Sequence, residues 1–298
     1  MSPPECGKSE PSQDVAVGAP TPTGAGRLAA WYGASGRHHL PWRHTRDPWA
    51  VLVSEVMLQQ TSVARVLPRW SRFLERWPDP ASCAAASLED VLREWDGLGY
   101  PRRAAALWRC AGAVAASGWP AGEAGLRSLP GVGAYTARAL LCLAFDLPGA
   151  PARDVNLGRV AARCWLGAET APPGALDRAL AEHRPAAMPW RDYTLALFDV
   201  GATLCRSRRA DCERCPLATV CASRPRLAPG VAVPPRSHPA YAGSMRQLRG
   251  AILRAMLAAP DRSPADLERA VAAVPLASRP GAVAEALDGL RRDGLLPG

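Results

Sequence analysis

A chain of 298 residues is long enough for two packed domains with additional terminal segments. Its composition, with 48% hydrophobic and 21% charged residues, is that of an ordinary soluble globular protein. The sequence contains no apolar run of the roughly 18 residues that a membrane-spanning helix needs, and no export signal at its start. Membrane and secreted proteins are therefore the least favoured classes, and we expect a cytoplasmic location without membrane contact.

The net charge of +9 suits a polyanionic partner such as nucleic acid, although an incidental basic surface would give the same value. Nearly all of the positive charge is arginine, because Lys8 is the only lysine in the sequence. Chemistry that requires a lysine nucleophile is therefore poorly supported.

Helical periodicity dominates from Trp31 to Val200, and no segment alternates as a strand does, so we predict an all-α protein. Residues 1–26 are rich in Pro, Gly, Ser and Thr, and we predict a disordered tail there. Asp47 and Pro48 mark a helix start, and Gln59, Gln60 and Thr61 interrupt that helix. Further helices are predicted at 62–76, 88–95, 101–117, 126–145 with a turn at 129–133, 155–165, 176–183, 190–201, 245–258, 264–274 and 281–290.

The chain contains nine cysteines, an odd number that makes a disulfide framework a poor explanation. Four of them follow the spacing C-x6-C-x2-C-x5-C within 17 residues. Such a group can bind a tetrahedral zinc ion or an iron–sulfur cluster, and the spacing alone leaves both open. These four are Cys205, Cys212, Cys215 and Cys221, whereas the scattered Cys6, Cys83, Cys110, Cys142 and Cys164 are predicted to be core residues.

A helix–hairpin–helix signature begins with Leu-Pro-Gly-Val-Gly at 129–133 and continues with Ala-Tyr-Thr-Ala. Gly131 and Gly133, with Val132 between them, would let the hairpin backbone approach a phosphate, and the second helix would offer its N-terminal amides. A simple turn between two helices is the alternative that this motif leaves open when taken alone.

Glu55 lies in the run Ser-Glu-Val-Met-Leu-Gln-Gln-Thr at 54–61. Val51 and Leu52 precede it by one helical turn and Leu58 follows by one turn, so Glu55 shares a face with apolar residues. Burial would raise the pKa of this carboxyl and make it a candidate general acid. An exposed helix glutamate is the alternative that periodicity leaves open.

Four segments together resemble adenine DNA glycosylases in order and spacing. They are Leu-Pro-Trp-Arg at 40–43, the run at 55–61, Gly-Leu-Gly-Tyr at 97–100 and the hairpin. The resemblance covers about two-thirds of the chain, from residue 30 to residue 223. The run at 54–61 separates adenine glycosylases from other members of the endonuclease III superfamily, whose [4Fe–4S] loop has a cysteine spacing similar to the one here.

The resemblance implies a monofunctional DNA glycosylase in base excision repair. Its substrate would be adenine mispaired with 8-oxoguanine or guanine in double-stranded DNA, its cofactor a [4Fe–4S] cluster, and its state a monomer. Glu55 resembles the acid that protonates adenine, and Asp154 the carboxylate that stabilises the oxocarbenium-like sugar, a division of roles that two-carboxylate glycoside hydrolysis shares.

The resemblance also implies roles for other residues, position by position. Tyr135 and Asn156 match further active-site positions, Trp42 and Arg43 match the adenine pocket, and Gln60 and Tyr100 match residues that fill or wedge the base stack. Gln59, Thr61 and Leu98 complete the predicted substrate contacts; Gly131, Val132 and Gly133 are the predicted phosphate contacts; and Cys205, Cys212, Cys215 and Cys221 are the predicted cluster ligands.

The fold implied is the helix–hairpin–helix DNA glycosylase fold with a [4Fe–4S] loop. We predict a cluster-containing helical domain formed by residues 27–48 and 154–224, and a helical barrel domain at 49–153. A Pro-rich linker at 225–241 would lead to a small helical C-terminal unit at 242–298, which ends in a way that could be winged-helix-like.

Three features depart from the family pattern: two single positions and the C-terminal unit. Pro101 follows Tyr100 where the family often has a second tyrosine, and Leu195 stands where Gln or Glu is common. The short C-terminal unit does not resemble the larger β-rich domain with which typical members read 8-oxoguanine, so opposite-base selectivity is the least supported part of the assignment.

Two other functions compete with this one. An endonuclease III-like pyrimidine glycosylase and lyase would use a lysine beside the hairpin, where this chain has Tyr135. A non-catalytic, metal-containing DNA-binding protein would explain the charge and the cysteines but not Glu55, Asp154 or the run at 54–61.

Overall fold

The computed structural model describes residues 24–147, 152–224 and 240–296, which form α-helices and no β-strand. The prediction of an all-α protein is therefore confirmed. The helices are α1 (Gly24–Ser35), α2 (Pro48–Leu58), α3 (Val63–Arg76), α4 (Pro80–Ala85), α5 (Leu88–Glu94), α6 (Arg102–Ser117), α7 (Gly122–Arg127), α8 (Ala134–Leu143), α9 (Val155–Trp165), α10 (Pro173–Glu182), α11 (Trp190–Asp199), α12 (Met245–Ala258), α13 (Pro264–Val271) and α14 (Ala282–Arg292).

Local sequence signals explain where several helices begin and end. The Asp47 carboxylate accepts hydrogen bonds from the amides of Trp49 and Ala50, at 3.2 and 3.0 Å, and Pro48 occupies the first turn of α2. The short helix α4 was missed, although Asp79 and Ser82 cap it reciprocally. The helix, turn and second helix predicted at 126–145 are present, but the first helix was placed too late, because α7 begins at Gly122 and ends at Arg127.

The predicted N-terminal tail ends earlier than expected, and most of the tail and of the linker lies outside the described residues. Helix α1 begins at Gly24, so the last three residues of the predicted disordered tail are helical. Residues 1–23 of that tail, and 225–239 of the predicted linker, lie outside the described residues. None of the described helices combines the length and apolar character that a bilayer crossing requires.

Two hydrophobic cores lie side by side in the molecule. The larger core takes its buried residues from α2 to α8, with Leu195 from α11, and extends into the C-terminal helices. The smaller core joins Leu28 of α1 to residues of α9, α10 and α11 and to Leu217 in the segment that carries the four clustered cysteines (residues 205–221, the cysteine loop). The boundaries of the two predicted domains stay a prediction, but the candidate site lies where α2 and α8 of one core face α9 and α11.

The C-terminal unit, residues 240–296, packs on α5. Its buried Leu248, Ile252 and Leu253 belong to the larger core. Arg93 of α5 donates from Nε and Nη2 to the Leu257 carbonyl, at 3.2 and 3.1 Å, and so caps the end of α12. The described part of the unit contains helices and no strand, and its likeness to a winged helix stays a prediction.

Gly131 in the hairpin is required by both backbone conformation and space. Its φ is +77°, and an added Cβ would lie 2.7 Å from the Cβ of Ala106 on α6. We therefore expect Gly131→Ala to lower the free energy of unfolding by about 1–3 kcal/mol. Urea unfolding would measure this loss.

Gly133→Ala is the matched control for that experiment. Gly133 has an ordinary φ of −86° and no atom within 4 Å of an added Cβ. Its substitution should leave stability nearly unchanged, and equal stabilities of the two variants would contradict the account of the hairpin.

Candidate active site

A cavity of about 330 Å³ lies between α2, α8, α9 and α11. Eight of the predicted site residues line it: Trp42, Arg43, Glu55, Gln59, Thr61, Tyr135, Asp154 and Asn156. The remaining wall is formed by residues that were not predicted as site residues, namely Arg37, Leu40, Val51, Ser54, Leu58, Val63, Leu143, Arg191, Leu195, Phe198 and Ala202. The cavity thus brings together side chains as far apart in sequence as Arg37 and Ala202, which are separated by 165 positions.

Glu55 is a buried acid. Only 7% of its surface is exposed, and every residue from Trp49 to Met57 on α2 is buried. Burial raises the pKa of the carboxyl to about 7, and the charge of Asp154 adds to the rise, while a hydrogen bond with Tyr135 and the charge of Arg43 oppose it. The exposed-glutamate alternative is therefore wrong, and Glu55 can hold a proton near neutral pH.

Tyr135 and Asp154 complete the group around this acid. Burial raises the pKa of Tyr135 well above its usual value, with Glu55 and Asp154 contributing, so its hydroxyl stays protonated beside Glu55. Asp154 caps α9: one carboxylate oxygen accepts the Leu157 amide at 2.7 Å, and the other accepts the Asn156 side-chain amide at 2.8 Å. Two carboxyl groups in very different surroundings thus line one cavity.

Arg159 holds the side chain of Asn156 by a hydrogen bond. The guanidinium donates to the Asn156 side-chain oxygen at 2.9 Å, to the Gly201 carbonyl at 2.8 Å and to the Cys205 carbonyl at 2.8 Å. Gly201, in a π-helical turn after α11, permits this contact because an added Cβ would lie 2.9 Å from the Cβ of Asn156. The first predicted cluster cysteine is therefore linked to the active-site helix.

A buried aspartate that sequence reasoning missed orients Arg43. Asp199 is fully buried at the end of α11 and accepts hydrogen bonds from Arg43 at 2.8 Å and from the Arg37 side chain at 2.6 Å. Leu195, one turn earlier, lines the same wall and leaves it apolar where the family often has an amide or acid. The available signal was a single acid, Asp199, within the otherwise apolar run at 195–200.

The predicted stack-filling residues lie on two adjoining loops outside the cavity wall. Gln60 and Tyr100 are exposed, and each has a left-handed backbone, with φ of 55° and 50°. Leu98 is buried, and its carbonyl accepts the Thr61 hydroxyl at 3.1 Å. The two loops are therefore joined at the rim of the cavity.

Both the sequence and the fold of the chain are similar to those of known DNA repair proteins. Residues 53–185 match the HhH-GPD superfamily of base excision DNA repair proteins. A relative from Mycobacterium tuberculosis named adenine DNA glycosylase is 44% identical over 78% of this chain and 78% of its own. One of the same name from Mycolicibacterium smegmatis is 41% identical over 90% and 91%.

The chain belongs to the adenine DNA glycosylase family. A human relative of that name is 35% identical over 68% of this chain and 39% of its own length. Among solved structures, a thermostable thymine-DNA glycosylase superposes with a TM-score of 0.60 at 25% identity, over 68% of this chain and 95% of that one. A trapped endonuclease III–DNA intermediate superposes with a TM-score of 0.55 at 22% identity, over 67% and 94%, and supports the fold.

The four clustered cysteines of this family member are half-buried and close enough to influence one another's pKa. A hydrogen bond from the buried Cys164 thiol lowers the pKa of Cys221 to about 6, which favours the thiolate that binds metal. Arg163 donates to the Cys205 sulfur at 3.7 Å. Within the described residues no three potential ligands are arranged for a single metal ion.

The raised pKa of Glu55 should make stability depend on pH. The folded protein holds this proton above the ordinary pKa of 4.5, so the contribution of Glu55 to stability is present below pH 4.5 and is lost as pH rises to about 7. Glu55→Gln removes this dependence. Relative to the wild type, it should gain up to about 3 kcal/mol of unfolding free energy between pH 4.5 and 7.

Denaturant unfolding across this pH range would measure the difference. Glu75→Gln, on an exposed position of α3, is the control and should show no such trend. A constant difference between Glu55→Gln and the wild type would contradict the buried, protonated acid.

Proposed function

We propose that the chain hydrolyses the N-glycosidic bond of adenine mispaired with 8-oxoguanine or guanine in double-stranded DNA, as a monomeric cytoplasmic enzyme of base excision repair. The observation that carries this proposal is the buried Glu55, whose pKa of about 7 keeps it partly protonated opposite Asp154. Membership of the adenine DNA glycosylase family supports the choice of base. The unpaired cysteines are in keeping with a reducing compartment.

Glu55 supplies the proton in this proposal. Adenine is a poor leaving group because the bonding electron pair must move onto its ring, and protonation of a ring nitrogen neutralises that charge. An acid with a pKa near the working pH is best suited to this transfer. Tyr135 remains protonated beside Glu55 and orients it by hydrogen bonding.

Asp154 faces the positive charge that develops on the sugar. The Asn156 amide and the Leu157 backbone amide fix its two oxygens at 2.8 and 2.7 Å, so the carboxylate needs little rearrangement in the transition state. Water then adds to the sugar carbon and gives up a proton, for which ionised Glu55 is the acceptor. The products are free adenine and an abasic strand with its backbone intact.

The pocket for the flipped adenine is formed by Trp42 and Arg43. Trp42 offers an apolar ring with 7% of its surface exposed, and Arg43 is fixed by Asp199 so that its remaining donors can meet ring nitrogens. Extrusion of the base costs a few kcal/mol and least for a mispair, which favours mispaired adenine over adenine paired with thymine.

The backbone of the DNA would be held at two places. The hairpin at Gly131, Val132 and Gly133 leads into α8, whose first amides have no side-chain cap. The cysteine loop exposes Arg206, Arg208, Arg209 and Arg214.

We also propose that Cys205, Cys212, Cys215 and Cys221 hold a [4Fe–4S] cluster. The spacing C-x6-C-x2-C-x5-C supports this choice, because it resembles the cysteine spacing of the [4Fe–4S] loop in the endonuclease III superfamily. When bound, the cluster closes the arginine-bearing loop.

Single-turnover excision assays would test the activity. Duplexes with adenine opposite 8-oxoguanine or guanine should release adenine, whereas the A·T duplex should not. Glu55→Gln should lower the rate by about 10²-fold or more while duplex binding persists, because the amide cannot donate the proton. Equal excision from A·T would overturn the proposed mispair specificity.

The same reactions distinguish the lyase alternative. Borohydride should trap no covalent protein–DNA adduct, because an imine requires an amine and Tyr135 occupies the position beside the hairpin. Strong trapping by the wild type would favour the endonuclease III-like function instead.

Replacement of Cys212 by Ser should cause the loss of the cluster and of DNA affinity together. The purified wild type should be brown with a broad visible absorption band, whereas a zinc protein is colourless. Cys83→Ala, a core position outside the loop, is the control and should keep both properties. If a colourless Cys212→Ser protein bound DNA with full affinity, DNA binding by the loop arginines would not depend on the cluster.

A further inference from the structure

Arg103, near the start of α6, lies between the two loops at the rim of the cavity. Its two terminal nitrogens donate to six oxygen atoms at 2.6 to 3.1 Å. Nη1 donates to carbonyl groups at the end of α2, and Nη2 donates to acceptors in both the loop after α2 and the loop before α6. The acceptors are the carbonyls of Val56, Met57, Gln59, Leu98 and Gly99 and the hydroxyl of Thr61.

These acceptors flank both strained residues of the rim. Gln59 and Thr61 stand on either side of Gln60, and Gly99 precedes Tyr100. Gln60 and Tyr100 are two of the three non-glycine residues with a left-handed backbone in the described part of the chain. Such conformations persist only where the surroundings impose them, and here one guanidinium contacts the backbone beside each.

Tyr100 is also held through its ring. The Arg103 guanidinium carbon lies 5.4 Å from the centres of the Tyr100 and Trp95 rings, and the Trp95 indole donates to the Gly99 carbonyl at 3.1 Å. Tyr100 nevertheless remains 46% exposed. An exposed aromatic ring on a rigid mount is suited to entering a base stack from which a nucleotide has been removed.

We propose that Arg103 is a positioning residue that holds Gln60 and Tyr100 as a preformed pair of probes, which enter the base stack as the target nucleotide turns into the cavity. This inference rests on the proposed function. Arg103 acts through the two loops and touches no reacting atom.

A lysine could not replace this arrangement. The planar guanidinium directs its donors toward two loops at once, whereas an ammonium is a compact charge with three donors. Burial lowers the pKa of Arg103 to about 10, which still leaves the group charged at neutral pH. Arg103→Lys therefore keeps the positive charge but removes the planar group whose donors reach both loops.

The test separates base flipping from chemistry. In the Glu55→Gln background, a duplex with 2-aminopurine at the target position reports flipping by its fluorescence rise, and filter binding reports affinity. Arg103→Lys should slow the fluorescence rise about tenfold, equivalent to about 1.4 kcal/mol, and should change affinity much less. Arg109→Lys, at an exposed position of the same helix, is the control and should behave as the wild type.

A double-mutant cycle with Tyr100→Ala identifies the route of action. If Arg103 works in part through Tyr100, the loss in the double variant, expressed as a free energy, should be smaller than the sum of the two single losses, whereas fully additive losses would overturn the inference. Thr61→Val removes one acceptor at nearly constant volume and should give a smaller loss in the same direction. It serves in place of Arg103→Lys if that protein does not fold.

The outcomes also separate this inference from the proposed function. If the wild type releases no adenine from any mispair, the proposed function fails. If the wild type flips and excises but Arg103→Lys and Thr61→Val flip at the wild-type rate, the positioning role of Arg103 is wrong. A lower thermal stability with unchanged flipping would likewise assign Arg103 a structural role alone.

Discussion

The burial of one carboxyl group, that of Glu55, is the constraint on which the site depends. Water would stabilise its charged form, and α2 excludes water because it is buried along nearly its whole length. Asp154 lies in the same cavity but caps a helix and accepts two hydrogen bonds. The two carboxyl groups therefore lie in different surroundings, and the proposed reaction uses that difference by assigning one the role of acid and the other the role of charge stabiliser.

Arginine side chains that bind main-chain carbonyls hold the surroundings of this pair in place. Arg103 joins the two rim loops, Arg159 joins α9 to the cysteine loop, and Arg191 binds the carbonyls of Arg43 and Thr45 at 2.9 Å. The planar fork suits such bridging because several donors have fixed directions. The net charge of +9 suggested a nucleic-acid partner, yet part of the arginine charge serves inside the protein.

Local signals in the sequence were enough to predict the bounds of some of the helices. The bounds of α9 and α12 agree with prediction because Asp154 and Ser244 cap them through their side chains. Helix α4 was missed because six residues show too little periodicity. The burial of Glu55 was suggested by its apolar neighbours, but its degree depends on packing against α8 and α9, which no local pattern contains.

Partners far apart in sequence could not be predicted. Asp199 meets Arg43 across 156 positions, and neither residue carries a motif that names the other. The contact of Arg103 with both loops depends likewise on how α2 and α6 cross. The family resemblance supplied site positions, and the packing supplied the reasons why those positions have their properties.

The docking of α12 on α5 has a consequence for how the protein comes to be folded in the cell. Arg93 meets the Leu257 carbonyl 164 positions later, so the apolar surface of α5 stays open until the last helices leave the ribosome. A chain that terminates after the cysteine loop would contain every residue of the cavity and still expose that surface. Such a product would place that surface in water, so we expect it to be less stable and more prone to aggregation than the full chain.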